Sequence, residues 1–165
     1  MKIRKPDDLH VHLRDGEMLQ VVLSYTATQF QRALVMPNLK PPVTTTDQAV
    51  AYYQRIKSAL DKDMEFEPLM SLYLTDRTTP DEIEKAKNSG CVVACKLYPS
   101  GATTNSESGV TDIPKLDLVF EKMAELGILL LVHGEMLQDP QTGIGIDVFD
   151  REEQFLQNVL DPILS

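Results

Sequence analysis

Five short apolar runs, at residues 8–13, 33–36, 68–74, 92–97 and 128–132, recur along the chain with helix-length stretches between them. No other feature restricts the fold as much. Runs this short and this rich in Val, Leu and Ile suit strands buried on both faces, and strands separated by helices pair in parallel because a parallel pair needs a crossover connection. Thr46 or Asp47 can cap a helix reaching about residue 62. The segment Thr79-Pro80-Asp81-Glu82 sets a cap, a first-turn proline and acidic residues ahead of a helix ending at Asn88, with Ser89-Gly90 as its stop. A further helix over residues 115–126 closes at Gly127, and residues 150–160 read as another. The expected class is α/β, a (β/α)8 TIM barrel with only about the first five β/α units present. Eight units close such a barrel in about 250 residues. Residues 1–165 are therefore expected to be the N-terminal part of a single barrel domain whose C-terminal part is missing. An isolated chain of this kind is expected to be unstable or to associate through its open sheet edge.

Charge narrows the class of partner. Sixteen basic against 25 acidic residues give a net charge of −9, the wrong sign for neutralising phosphates, so no nucleic-acid partner is expected. The longest apolar run, 128–132, is far below the ~20 residues that span a bilayer, and the first residues hold no apolar signal core. A cytoplasmic protein without a membrane partner is expected. Cys91 and Cys95 would lie ~13 Å apart on one extended strand, too far to pair.

The three histidines, His10, His12 and His133, all fall at the C-terminal ends of expected strands. In (β/α)8 enzymes the active site forms at that end. Residues two apart on a strand share a face, so His10-Val11-His12 can present two imidazoles to one ion, although such a pair can also simply pack. Asp7 or Asp8 could orient a ligating ring through its other nitrogen. Lys96 ends an apolar run, where an unpaired ammonium is costly or sheds its proton. It either snorkels to solvent or stays neutral. A neutral amine can add carbon dioxide, giving a carbamate whose two oxygens can bridge two metal ions.

Four separated motifs, D-L-H-V-H-L-R-D-G at 8–16, V-M-P-N at 35–38, K-L-Y-P at 96–99 and V-H-G-E at 132–135, resemble the N-terminal part of bacterial-type dihydroorotases in the amidohydrolase superfamily. The resemblance implies a metal-dependent barrel that interconverts N-carbamoyl-L-aspartate and (S)-dihydroorotate in pyrimidine (UMP) biosynthesis, through a hydroxide bridging two zinc ions. It implies that His10 and His12 bind the more buried zinc, that Lys96 is the N6-carboxylated bridge, made with carbon dioxide, and that His133 binds the second zinc. Arg14 and Asn38 match the positions that hold the substrate carboxylate, and Thr103 and Thr104 those on a mobile flap that closes over substrate. Glu135 matches no role. The general acid/base aspartate and a fourth ligating histidine are expected beyond Ser165; Asp139, Asp147 and Asp150 do not match the motif. A homodimer is implied for the full-length protein.

Two other readings share these residues. Hydantoinases, dihydropyrimidinases and allantoinases resemble this pattern too, although Arg14 and Asn38 favour a ring bearing a carboxylate. A non-catalytic, dihydroorotase-like structural partner, for instance of aspartate transcarbamoylase, would have little reason to keep His10, His12, Lys96 and His133 together. Purified residues 1–165 are expected to give no zinc-dependent ring opening, whereas a longer parent should; turnover by the purified 165-residue chain would overturn that expectation.

Overall fold

A computed structural model describes residues 3–139 and 141–164. Strands β1 (Asp7–Val11), β2 (Arg32–Val35), β3 (Glu67–Tyr73), β4 (Val92–Leu97) and β5 (Leu129–Val132) form one sheet in chain order. Every neighbouring pair is parallel. Helices α1 (Gly16–Gln29), α2 (Thr46–Ala59), α3 (Pro80–Asn88) and α4 (Asp117–Leu126) make the four crossovers. Successive β/α units wound in this order build the wall of a (β/α)8 barrel, here as a half-barrel.

The period of two along each strand divides the core. Ala33 and Val35 of β2, Leu72 of β3, and Cys95 and Leu97 of β4 join Leu23, Tyr52, Ile56, Ile83 and Val119 from the helices in one buried cluster. The alternate residues Leu34, Met36 and Ala94 form a second, small cluster with Leu69, Val93 and Leu131, and no helix residue joins it. The first cluster is the layer between sheet and helices; the second lies on the inner face of the wall. At the two outer strands apolar side chains are uncovered, with Leu9 69% and Leu129 58% exposed.

Helix boundaries follow local chemistry. Thr45, not Thr46 or Asp47, caps α2, and Gln48 completes a capping box, leaving Thr46 as the first helical residue. The Thr46 hydroxyl and amide both donate to Glu82 Oε1 at 2.6 Å, which ties α2 to α3. Thr79 caps α3 with Pro80 in its first turn, as the sequence predicts, and Gly127 ends α4 with a left-handed φ of 64°. The helix expected over 115–126 begins at Asp117, and residues 113–116 before it form a 3-10 turn containing Pro114.

The expected helix over 150–160 is α5 (Arg151–Phe155) followed by a π turn over Leu156–Leu160 and by α6 (Asp161–Leu164). The helix thus runs on through Pro162. The wide turn precedes the proline, whose ring would crowd an α-helical carbonyl. Cys91 and Cys95 are free thiols. No helix among the described residues is long and apolar enough to cross a membrane.

Leu72 is fully buried on the helix side of the central strand. Leu72→Ala is expected to destabilise the fold by about 2–5 kcal/mol, read as a lower urea midpoint at an unchanged slope.

Candidate active site at the C-terminal rim of the sheet

Parallel pairing brings all five strand ends to one rim. His10 lies in β1 and His12 just past its end, earlier than the expected strand limit at residue 13, with ring centroids 5.3 Å apart and planes tilted by 54°. His133 directly follows β5, and its amide donates to the Leu97 carbonyl at 2.9 Å, continuing the ladder by one step. His10, His12, Arg14 and Asn38 line one cavity of about 320 Å³, together with Thr103, Thr104 and His133. Tyr98 completes the lining. A larger cavity of about 570 Å³, between the loops that follow β2 and β3 and residues 107–111, contains none of these residues.

Lys96 stands beside the cavity and is only 3% exposed, so it does not snorkel. Its Nζ donates to the Val132 carbonyl at 2.9 Å and lies 5.2 Å from the centre of the Tyr98 ring. Burial pushes the Lys96 pKa below the ordinary lysine value. Burial likewise lowers His10, helped by the charge of Lys96, and lowers His12, helped by the charge of Arg14. These groups are bases held toward their neutral, lone-pair-bearing forms. His12 Nδ1, His133 Nε2 and Tyr98 Oη are buried without a hydrogen-bond partner. Such atoms are rare in native proteins, where a water or a ligand usually satisfies them. Among the described residues no three His, Cys, Asp or Glu side chains form a group able to hold a single ion.

The loop expected to be a flap folds against the rim. Asn38 Nδ2 donates to the Thr104 carbonyl at 3.2 Å, and Asn105 Nδ2 donates back to the Asn38 carbonyl at 3.1 Å. The buried Ser106 hydroxyl accepts from the Thr103 amide and donates to the Thr103 carbonyl, closing the tip on itself. Its return leg hugs β4: Val110 N donates to the Tyr98 carbonyl at 2.8 Å, and Ser100 N to the Val110 carbonyl at 3.0 Å. Gly109 permits this approach, because a Cβ there would meet the Tyr98 carbonyl oxygen at 2.4 Å and the Ser106 carbonyl oxygen at 2.9 Å.

Two sequence expectations need correction. Neither Asp7 nor Asp8 orients an imidazole: Asp7 pairs with Arg32, and Asp8 Oδ1 accepts from the backbone amide of His10 at 2.9 Å. Asp7 points to the face opposite His10, and Asp8, on the same face, spends its carboxylate on the strand's own backbone. The carboxylate that does approach a histidine is Glu135, with Oε1 3.2 Å from His133 Nε2 outside hydrogen-bond alignment and Oε2 3.6 Å from Arg151. Tyr98 was given no role in the sequence, yet it stands two residues past Lys96 in extended backbone. The same period that pairs His10 with His12 could have placed it on the cavity side.

The sequence profile described as the amidohydrolase family matches residues 8–157. The chain belongs to the amidohydrolase family. Within that family it is 57% identical over 163 residues to a dihydroorotase of Alkalilimnicola ehrlichii, covering 99% of this chain and 46% of the relative. The chain thus spans about half the length of the curated relatives it matches. Its fold superposes on the crystal structure of a Campylobacter jejuni dihydroorotase with a TM-score of 0.83 and 38% identity, over 96% of this chain and 44% of that one. A Saccharomyces cerevisiae dihydroorotase, crystallised in complex with 5-fluoroorotic acid, superposes with a TM-score of 0.81 and 34% identity, over 96% of this chain and 43% of its own.

His10 and His12 titrate below 6.5 in this amidohydrolase fold and near 6.5 when unfolded. As pH falls through that value the unfolded chain takes up protons first, so stability is full above it and declines toward the folded pKa values. The urea midpoint should fall between pH 7.5 and 5.5, and a His10→Gln/His12→Gln variant should flatten that decline.

Proposed function

We propose that this chain forms the metal- and carboxylate-binding part of a dihydroorotase, which cyclises N-carbamoyl-L-aspartate reversibly to (S)-dihydroorotate in pyrimidine biosynthesis. One observation carries the proposal: four basic donors from three separate strand ends meet beside one cavity that also receives Arg14 and Asn38. The activity belongs to the whole protein, because the relatives named dihydroorotase are about twice as long as the chain they match.

The donor set fits zinc. Two imidazoles on one tetrahedral zinc, with Zn–N near 2.1 Å, have ring centres about 5 Å apart. Those of His10 and His12 are 5.3 Å apart. His12 Nδ1 and His133 Nε2 are buried and make no hydrogen bond, which leaves their lone pairs available to a ligand. Lys96, with its pKa lowered by burial, is suited to carboxylation by carbon dioxide. In this reading His10, His12 and His133 would hold zinc, with Lys96, once carboxylated, as a further anionic ligand. The three imidazoles do not form a group able to hold a single ion, so they are not assigned to one. When bound, zinc activates water and polarises the amide carbonyl that is attacked.

The protein groups do the recognising. Arg14 can grip a carboxylate through two parallel N–H donors. Asn38 adds an amide donor, once its bond to the Thr104 carbonyl is exchanged for one to substrate. Thr103 and Thr104 face the same space and would close over the bound ring. Glu135, which Arg151 approaches at 3.6 Å, stands 3.2 Å from His133 Nε2, on the ligating nitrogen and not behind the ring. No Asp or Glu lines the cavity, so the general acid/base is assigned to a residue outside this chain.

Native mass spectrometry of a polypeptide extended to the length of its relatives should find zinc and the added mass of one carbon dioxide on Lys96, and Lys96→Ala should lose the adduct; an unmodified, zinc-free protein after incubation with both would overturn the metal assignment. In the same polypeptide, dihydroorotate should be opened faster than hydantoin. Arg14→Ala there should weaken dihydroorotate binding by about 2–3 kcal/mol. Equal rates on the two rings, or a preference for hydantoin, would overturn the substrate choice.

A further inference from the structure

Arg14 adopts a left-handed backbone conformation, with φ of 58°. Residues with a side chain seldom take that conformation, and they keep it only where neighbours impose it. The residues that impose it come from α2, across the boundary between the first two β/α units. Tyr52 is fully buried, and its hydroxyl donates to the Arg14 carbonyl 38 residues earlier in the chain. One turn further on, Arg55 grips Asp15 with two parallel bonds, Nε to Oδ1 at 3.0 Å and Nη2 to Oδ2 at 2.7 Å. Its guanidinium also lies 5.3 Å over the Tyr52 ring. Asp15 Oδ1 in turn accepts from the Gly16 amide at 2.9 Å, at the start of α1. One face of α2 therefore holds both the carbonyl of Arg14 and the side chain of the residue after it.

We propose that Tyr52 is a positioning residue: its hydroxyl, backed by the Arg55–Asp15 pair, locks the Arg14 backbone so that the guanidinium faces the cavity and meets the carboxylate of a bound ring. The inference rests on the reading of Arg14 as the carboxylate anchor. Fixing the carbonyl fixes the peptide plane after residue 14, and with it the direction in which the side chain leaves the chain. A guanidinium swung away by a few ångströms loses the in-plane, two-bond match to a carboxylate. A neutral ring makes no such demand.

Tyr52→Phe keeps the ring, its packing and its contact with Arg55, and removes only the donor. Binding of dihydroorotate and of dihydrouracil, the same ring without the carboxylate, is measured by titration in the full chain, with the backbone carbon shifts of residue 14 followed by NMR. Tyr52→Phe is expected to weaken dihydroorotate about tenfold, to leave dihydrouracil unchanged, and to move the residue-14 shifts away from left-handed values. Equal weakening of both ligands would mean a merely structural role and would overturn the proposal. So would unchanged dihydroorotate binding in Tyr52→Phe when Arg14→Ala weakens it. If Arg14→Ala leaves dihydroorotate binding intact, the anchor reading fails instead, and shifts that still move in Tyr52→Phe show that failure to be separate. Should the parent chain bind neither ligand, the residue-14 shifts decide alone, and shifts unchanged by Tyr52→Phe overturn the lock.

Discussion

The register of the five parallel strands is the constraint on which everything at the rim depends. In the β3–β4–β5 ladder Tyr73 pairs with Lys96 and Lys96 with Leu131, so the lysine lies in the same layer as its neighbours on both sides. Strand side chains alternate between faces, and a slip of one residue in β4 would send Lys96 under the helices and bring Cys95 or Leu97 to the inner face. The fully buried Cys95 and Leu97 oppose such a slip, because they fill the layer between sheet and helices. Apolar burial thus fixes the placement of the polar groups, and the chemistry inherits its geometry from the packing.

The electrostatic character of the rim runs against that of the chain. Acidic residues outnumber basic ones by 25 to 16, yet the cavity is lined by imidazoles, a guanidinium, amide and hydroxyl groups. The carboxylates near the strand ends are engaged elsewhere: Asp7 with Arg32, Asp15 with Arg55 and Glu82 with Thr46. This division leaves the lining of the cavity without a carboxylate, and Glu135 approaches His133 from beside it.

The three inner strands were legible because they are largely buried on both faces, which writes a nearly unbroken apolar run into the sequence. All five expected strands correspond to real ones, with ends displaced by at most two residues, and the histidines stand at the rim because those ends are correct. Helix α1 was harder to read. Leu19, Leu23 and Ala27 face the core while Met18, Val21 and Tyr25 lie exposed, and apolar residues on both sides blur the pattern that reveals a helix. The cap of α2 was misplaced by one residue because three threonines stand in a row and only tertiary contact decides among them: Thr46 is drawn to Glu82, which leaves the cap to Thr45. The pairing of Glu135 with Arg151 went unread for a similar reason, since sixteen residues separate the two, whereas Tyr98 could have been placed from its spacing to Lys96 alone.

The close approach of Gly109 to the end of β4 has a consequence for how this rim can diversify. The two legs of the loop are cross-linked to each other just past the strand, residues 98–100 to Val110, and a side chain at residue 109 has no room. Within this loop, insertions and deletions are therefore tolerated at the apex that bears the two threonines and not at the base. The base works as a fixed socket, and a new apex can be grafted onto it without disturbing the donors beneath.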